Sequence, residues 1–405
     1  LLDSFVMFSD NVPFYGYLVI NGDDINIKKI SKKISRAQLK FGQSKGCDYQ
    51  ITKLSSSKGK QSFEIFDRKN SKVHKFKINL PTPLMAGVRS KIRQYASCCL
   101  IDIDDTLPSI FSSSTAAGYA TGSRYGIGLN IGRIRPINSP IRRGEVMHTG
   151  VIPFLKVVDA EMLAFSQGVT RRGSYASYLH MSHPEIEEFL DVRKPTGGDV
   201  NRKCINLHHG VVIPDRFMEI IHRATHEEGF SDDWELIDPH SGEVKKIVSA
   251  RTLWVKLLQN RMETGEPYLM FEDAVQSDLP EFQQRKGLKV NHSNLCSEIT
   301  LATNEERTAV CCLSSVNLEY FDEWSKHPAF IPDLIRFLDN VLTYFIENAP
   351  DELERARYSA YRERSIGLGA MGFHAYLQRH NVPFESAMAK GRNLQMFSRI
   401  KSEAE

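Results

Sequence analysis

No apolar run in this sequence approaches the ~18 to 20 residues needed to cross a bilayer, which argues against a membrane span. The first residues, Leu1-Leu2-Asp3-Ser4-Phe5, carry neither an initiator methionine nor a basic start followed by an apolar stretch. No signal peptide is read there, and the chain reads as a fragment. Charge of one sign is also scarce overall: 52 Lys and Arg stand against 49 Asp and Glu, a formal net of +3. That balance gives no ground for a nucleic-acid or anionic-membrane partner. No pair of cysteines has the C-x2-C or C-x4-C spacing of zinc sites, so no metal site is predicted. Seven cysteines, an odd number in 405 residues, argue against a disulfide framework and for a reducing, cytoplasmic setting. Each cysteine is read first as a small buried hydrophobe. Internal repeats are missing too, and a 41% apolar, 25% charged composition excludes a disordered chain.

What is present is unevenly distributed. Residues 28–77 hold 13 Lys and two Arg against Asp48, Glu64 and Asp67, a local net of +12, and the remainder sums to −9. These lysines read as solvated faces of short polar strands, with no nucleic-acid motif among them. Residues 1–77 are therefore taken as a Lys-rich accessory segment, with a helix expected over Ile30–Phe41 and alternation at Tyr49–Ile51 and Phe63–Phe66. Residues 78–405 form a second region of apolar strand-like runs at Cys98–Ile103, Gly126–Ile131, Ser174–Leu179 and Gly210–Ile213. Helical patterns alternate with them at Phe217–Ala224, Thr252–Met262 and Pro332–Ile346. Ser182-His183-Pro184-Glu185 reads as a capping box opening a helix over Ile186–Val192. Such alternation implies an α/β architecture with a largely parallel sheet.

Gly367-Leu368-Gly369-Ala370-Met371-Gly372 has dinucleotide-fold spacing but the wrong context, since Arg355–Ser365 before it is charged and helical in character. Close packing of a helix on a neighbouring element is the expected role of these glycines. Gly126, Gly128 and Gly132 lie instead in an apolar, strand-like run, where glycine lets another backbone or a ligand approach closely.

Asn294-Leu295-Cys296-Ser297-Glu298 places an amide, a thiol and a carboxyl at alternate positions. In an extended segment all three project to one side, with Leu295 and Ser297 pointing away. A thiol between a hydrogen-bonding amide and a general base suits chemistry on a polyhydroxylated substrate. A strand end with a buried cysteine is the plainer reading of these five residues alone.

Five further segments occur with this motif: Leu80–Arg89, Ser97–Ile101, Gly126–Arg135, Ser166–Arg171 and Ala309–Ser314. Together they resemble the large, catalytic subunit of class I ribonucleotide reductase over about residues 78–385. The resemblance implies a ten-stranded α/β barrel of two five-stranded halves, incomplete in this chain. It implies an oxidoreductase that makes deoxyribonucleotides for DNA synthesis, from ribonucleoside diphosphates. Cys296 takes the place of the thiyl radical that removes the ribose 3′ hydrogen, Glu298 takes the 3′-hydroxyl proton, and Asn294 bonds the sugar hydroxyls. Cys98 and Cys311 match the pair that ends as a disulfide, while strand alternation turns Cys99 and Cys312 away.

Thr82, Ser97, Gly126, Leu295 and Ser297 match substrate-contacting positions. Asp105, Thr106, Leu107, Arg135 and Arg142 match an effector site for ATP or a deoxynucleoside triphosphate with Mg2+, and Gln167 and Arg171 the loop that reports effector identity. That loop departs from the glycine-richer form of many members at Val169–Gly173. No tightly bound cofactor is implied in this chain. The implied partners are a metal-containing small subunit that supplies the radical, a thioredoxin or glutaredoxin reductant, a second large subunit, and a further polypeptide completing the barrel if the gene is split. The competing readings are an adenosylcobalamin-dependent reductase and a non-catalytic piece that binds a nucleotide or a subunit.

Overall fold

The computed structural model describes residues 17–57, 60–78, 95–165 and 173–405, with isolated positions before residue 17. The chain divides into two compact units, Leu1–Thr82 and Pro83–Glu405. The first holds a five-stranded sheet in sequential order: β1 (Leu18–Asn21), β2 (Gln38–Gly42), β3 (Tyr49–Ser57), β4 (Lys60–Asp67) and β5 (Lys72–Ile78). The first three strands run parallel and the last two fold back as a meander. The helix expected over Ile30–Phe41 is not there. A helix over Ile25–Ile30, capped by Asp24, precedes a short 3-10 turn and then β2. Ile30 and Ile34 are buried against Leu18 and Ile20, a contact whose four-residue spacing imitates a helix face.

The second unit is built on a seven-stranded sheet. Its strands are β6 (Cys98–Asp102), β7 (Gly126–Asn130), β8 (Tyr175–His180), β9 (His208–Ile213), β10 (Tyr268–Phe271), β11 (Ala309–Asn317) and β12 (Ile366–Met371). Across the sheet they follow the order β10-β9-β8-β7-β6-β11-β12. The first five are mutually parallel, in chain order, and joined by helical crossovers. β11 then enters beside β6 antiparallel to it, and β12 continues parallel to β11. β6 and β7 are buried at every position, as a parallel strand covered on both faces requires. The sheet curls so that Leu269–Phe271 of one edge and Ile366 of the other line a single cleft of about 670 Å3.

Among the described residues of this unit the longest helices are α1 (Leu107–Gly122), α2 (Val151–Ala164), α3 (Asp215–His226), α4 (Ala250–Thr264), α5 (Phe330–Asn348), α6 (Glu354–Glu363) and α7 (Ala387–Ala404). On the α5 face expected from the spacing, Leu338, Val341, Leu342 and Phe345 are buried and Leu334 is half-buried, while Phe337 is exposed; Ile331, before the expected start, is buried too. Among the described residues no helix is long and apolar enough to cross a membrane.

The capping box is a correction. The helix after Ser182 covers Ile186–Leu190, and Glu185 makes no cap bond to it. Its carboxylate instead accepts from the backbone N–H groups of Ile137 (3.0 Å) and Val151 (2.8 Å), and so caps the start of α2. The Ser182 hydroxyl pairs with His180 Nδ1 at 2.6 Å. A carboxylate 34 residues from its partner leaves no local signature.

Gly367 and Gly369 are also corrected. They lie in β12 against β11, where a Cβ would stand 3.4 Å from Cys311 Sγ and 3.0 Å from Ser315 Oγ, so strand pairing accounts for them and helix packing does not.

Two buried histidines set an acid limit on this unit. His183 Nδ1 accepts from the Glu185 N–H and its Nε2 donates to the Ile134 carbonyl, which satisfies a neutral ring. Burial pushes His183 down to about 4 and His292 down to about 3. Both values lie below the ~6.5 of an unfolded chain, so their stabilisation is complete above that pH and is lost as the pH falls. Each histidine then removes up to about 1.4 kcal/mol per pH unit. Urea unfolding at pH 7 and pH 5 checks this: a loss of up to about 4 kcal/mol is expected, and an unchanged midpoint contradicts it.

Candidate active site

The inner face of the sheet is shaped by what β7 lacks. A Cβ on Gly128 would lie 2.2 Å from the Ser293 carbonyl oxygen and 2.8 Å from Asn294 Cα, and one on Gly126 would lie 2.7 Å from Leu295 Cδ2. The loop that carries Asn294–Glu298 therefore rests directly on the bare backbone of the strand. The close approach expected of these glycines is made at Gly128 by the loop's backbone and at Gly126 by the Leu295 side chain.

This loop is a turn, which corrects the extended conformation expected for it. Asn294 is fully buried, and its Oδ1 accepts from the N–H groups of Glu298 and Ile299, both at 3.0 Å. Ser297 takes φ +65°. The turn leaves Cys296 and Glu298 exposed at the tip, while Leu295 packs against Ala176 and Tyr178. Asn294 Nδ2 reaches back to Cys98 Sγ at 3.2 Å. An amide that caps its own turn cannot be recognised from alternation, because the competing bond is local and polar.

Cys98 opens β6, and the antiparallel register sets Cys311 of β11 opposite it. Directly opposed residues of such a pair have Cα atoms about 4.5 to 5.5 Å apart, inside the range a disulfide needs. Both are reduced thiols, buried in a cluster with Leu100, Ile299 and Ala309. Cys99 and Cys312 lie on the other face beside Tyr125, whose phenol is pushed well up by burial and then by those two thiols. Burial holds the Cys311 thiol far above its ordinary value, with Cys98, Cys312 and Glu298 adding to the effect. It is therefore protonated at neutral pH and able to give a hydrogen atom. Ser97 Oγ lies 3.5 Å from Cys98 Sγ, and the Ser97 carbonyl accepts from the Gly126 N–H at 2.9 Å. Cys98, Cys311, Ser97, Gly126 and the Asn294–Glu298 turn thus converge on one place.

The residues expected at an effector site stand beyond the opposite ends of β6 and β7, ~13 Å of strand away. Arg135 Nε and Asp105 Oδ2 form an ion pair at 2.5 Å, with His240 Nδ1 3.8 Å from the same oxygen. The Thr106 hydroxyl caps α1 by accepting from Ser109 N–H at 3.2 Å, and Leu107 is exposed in its first turn. Arg142 lies, exposed, in the turn of the short ribbon Pro140–Ile141/Val146–Met147. Thr82, Gln167 and Arg171 lie outside the described residues.

Two contributors had no sequence signal. Tyr178 of β8 donates its hydroxyl to the Asn294 carbonyl at 2.7 Å, and burial pushes its phenol up to about 12. Asn291 bonds both Asp102 and Thr303.

With this geometry in place, residues 96–404 match the family described as ribonucleotide reductase, barrel domain. The chain belongs to the ribonucleotide reductase family. It is 39% identical over 371 residues to the ribonucleoside-diphosphate reductase large subunit of Invertebrate iridescent virus 3, covering 80% of this chain and 58% of that one. It is 45% identical over 311 residues to the putative large subunit of Frog virus 3, covering 76% and 52%. The alpha subunit of an Actinobacillus ureae class Id ribonucleotide reductase superposes with a TM-score of 0.68 at 31% identity, covering 80% of this chain and 56% of that one. The chain thus spans little more than half the length of these relatives. The seven described strands are an incomplete reductase barrel, one five-stranded parallel half and two strands running against it.

Proposed function

We propose that this chain is the part of a ribonucleotide reductase large subunit that carries the reacting thiols, and that the complete protein reduces ribonucleoside diphosphates to deoxyribonucleotides. The observation that carries the reading is the bond from Asn294 Nδ2 to Cys98 Sγ, which fastens the Cys296 turn beside the opposed Cys98 and Cys311 thiols.

The chemistry balances on these groups. A thiyl radical at Cys296 takes the 3′ hydrogen, forming S–H and leaving a carbon radical, while Glu298 accepts the 3′-hydroxyl proton. The 2′ hydroxyl leaves as water. Cys98 and Cys311 give two hydrogen equivalents and become a disulfide, and Cys296 returns its hydrogen to C3′. The sum is one ribonucleotide and two thiols in, one deoxyribonucleotide, one disulfide and one water out. Ser97, Gly126, Leu295 and Ser297 line the sugar's approach, and Thr82 joins them by position in the sequence. A small radical-generating subunit and a thioredoxin or glutaredoxin complete the cycle.

Asp105 and Arg135, with Thr106, Leu107 and Arg142 near them, form the proposed effector site. A guanidinium suits a triphosphate, and a carboxylate suits a ribose hydroxyl or base amine. Gln167 and Arg171 are assigned to reporting effector identity. A pairing of two large subunits is supported by exposed apolar side chains on adjacent helices, Leu107 and Phe111 of α1 with Val157 and Leu163 of α2.

Arg135→Ala is expected to weaken deoxynucleoside triphosphate binding about 10-fold or more in calorimetry; unchanged affinity refutes the effector assignment. The whole reading is tested by assaying the complete protein for diphosphate reduction with its small subunit and, separately, with adenosylcobalamin alone. Activity only with the subunit is expected, and activity with the cobalamin alone selects the competing enzyme class.

A further inference from the structure

The tip of the loop is fastened by Asn294, but a different group of contacts fixes its stem. Thr303 N–H donates to the Lys289 carbonyl at 3.2 Å, closing the two arms. Ser293 Oγ donates to the Ile299 carbonyl at 2.7 Å, a second rung. Between them, one amide group holds both the arms and the barrel: Asn291 Nδ2 donates to the Thr303 carbonyl and to Asp102 Oδ2, each at 2.8 Å.

Asp102 is the last residue of β6 and is 2% exposed. Its other oxygen accepts from Asn130 Nδ2 at 2.7 Å, and Arg133 Nη2 stands 3.0 Å from the oxygen that Asn291 uses. A buried carboxylate matched on both oxygens by fixed donors is a rigid anchor, because each lost bond leaves a desolvated charge.

The loop is therefore pinned at both ends of one strand. Asn294 Nδ2 is on Cys98 Sγ at the start of β6, and Asn291 Nδ2 is on Asp102 at its end. Four residues of strand cover ~13 Å, and the three steps from Asn291 to Asn294 cover at most ~10 Å of extended chain. The side-chain reach of the two asparagines and of Asp102 makes up the difference, so the loop has little slack along β6. His292 Nε2 on the Gly128 carbonyl at 3.3 Å keeps the same segment against β7.

We propose that Asn291, acting through Asp102, is a positioning residue for Cys296: the strut sets how far the loop tip stands from the Cys98–Cys311 pair. The proposal rests on the reading of Cys296 as the reacting thiol, while the ordering of the loop can be measured without turnover. Asn291 touches none of the reacting groups. Its loss acts by letting the turn slide along β6 toward the open side of the sheet.

The test replaces Asn291 with Ala and with Gln, which keeps an amide donor, and follows three readouts. Hydrogen exchange at the Glu298 and Ile299 amides, the two that bond Asn294 Oδ1, is expected to speed up about 10-fold or more in Asn291→Ala. The amides of Tyr175–His180 keep their protection. In the assembled enzyme kcat is expected to fall about 100-fold with KM within about twofold, since a misplacement of ~1 Å has that cost. Asn291→Gln recovers part of both losses. Asp102→Asn gives the same pair of effects and serves if Asn291→Ala does not fold. Unchanged exchange at Glu298 and Ile299 overturns the proposal, as does faster exchange spread over β8 as well, which marks a purely structural residue. If the loop loosens as expected but Cys296→Ser still turns over, the reading of the reacting thiol fails and the strut stands.

Discussion

Replacing Cys296 with serine in the assembled enzyme is expected to abolish deoxynucleotide formation, a loss of about 10^4-fold or more. The reason is bond strength rather than shape. Serine fits the same turn and can donate a hydrogen bond, but its O–H bond is too strong to yield a radical under conditions where a thiol does. Cys296 is exposed at the tip of the turn, so stability is expected to shift by no more than about 0.5 kcal/mol. Measuring product formation beside thermal unfolding separates the two quantities. Retained turnover would mean that the exposed thiol is not the one that reacts. A protein that only binds a nucleotide or a subunit would be indifferent to the change.

The second large effect is expected from a single methyl group. Gly128→Ala puts a Cβ 2.2 Å from the Ser293 carbonyl oxygen and 2.8 Å from Asn294 Cα. Those atoms are backbone, so no rotamer change relieves the overlap. The loop must lift off β7 or the strand must yield, and either shift moves Cys296 relative to Cys98. Overpacking of this kind costs about 1 to 3 kcal/mol of stability, and a ~1 Å displacement of the loop costs about 100-fold in kcat. Gly367→Ala is the internal control: its Cβ would stand 3.4 Å from Cys311 Sγ and Leu313 Cβ, a separation that small side-chain shifts absorb. An alanine at 128 with normal kcat would show that the loop does not need its seat on the strand.

The sequence was most legible where local pattern and global fold agree. Continuous apolar runs located β6, β7, β8 and β9, because strands covered on both faces need no polar alternation. α5 announced itself by its repeated apolar face. The pattern failed where a distant partner decides local conformation. Glu185 looked like a cap for its own helix, yet its carboxylate serves residues 34 and 48 positions away. Ile30 and Ile34 looked helical because they share a buried cluster with β1, although the chain turns from helix to strand between Ile30 and Gln38.

At the site, the residue types were readable and their geometry was not. Asn294, Cys296 and Glu298 stand at alternate positions, which suggests an extended chain. The Asn294 side chain turns that chain by capping it, and so separates a buried amide from two exposed groups. Gly126 and Gly128 did carry a geometric message, since a bare strand surface exists only where something must come close. Nothing local marked Asn291, Asp102 or Tyr178, whose roles arise only when strands far apart in sequence become neighbours.

The most direct test of the account is the oxidation state of the thiols after a single turnover without external reductant. The complete enzyme, fully reduced and then mixed with substrate and its radical-generating subunit, is quenched with an alkylating reagent and mapped by mass spectrometry. One Cys98–Cys311 disulfide per deoxynucleotide is predicted, with Cys99, Cys204 and Cys312 still free. Product formed while Cys98 and Cys311 are both alkylated as free thiols would contradict the assignment of that opposed pair.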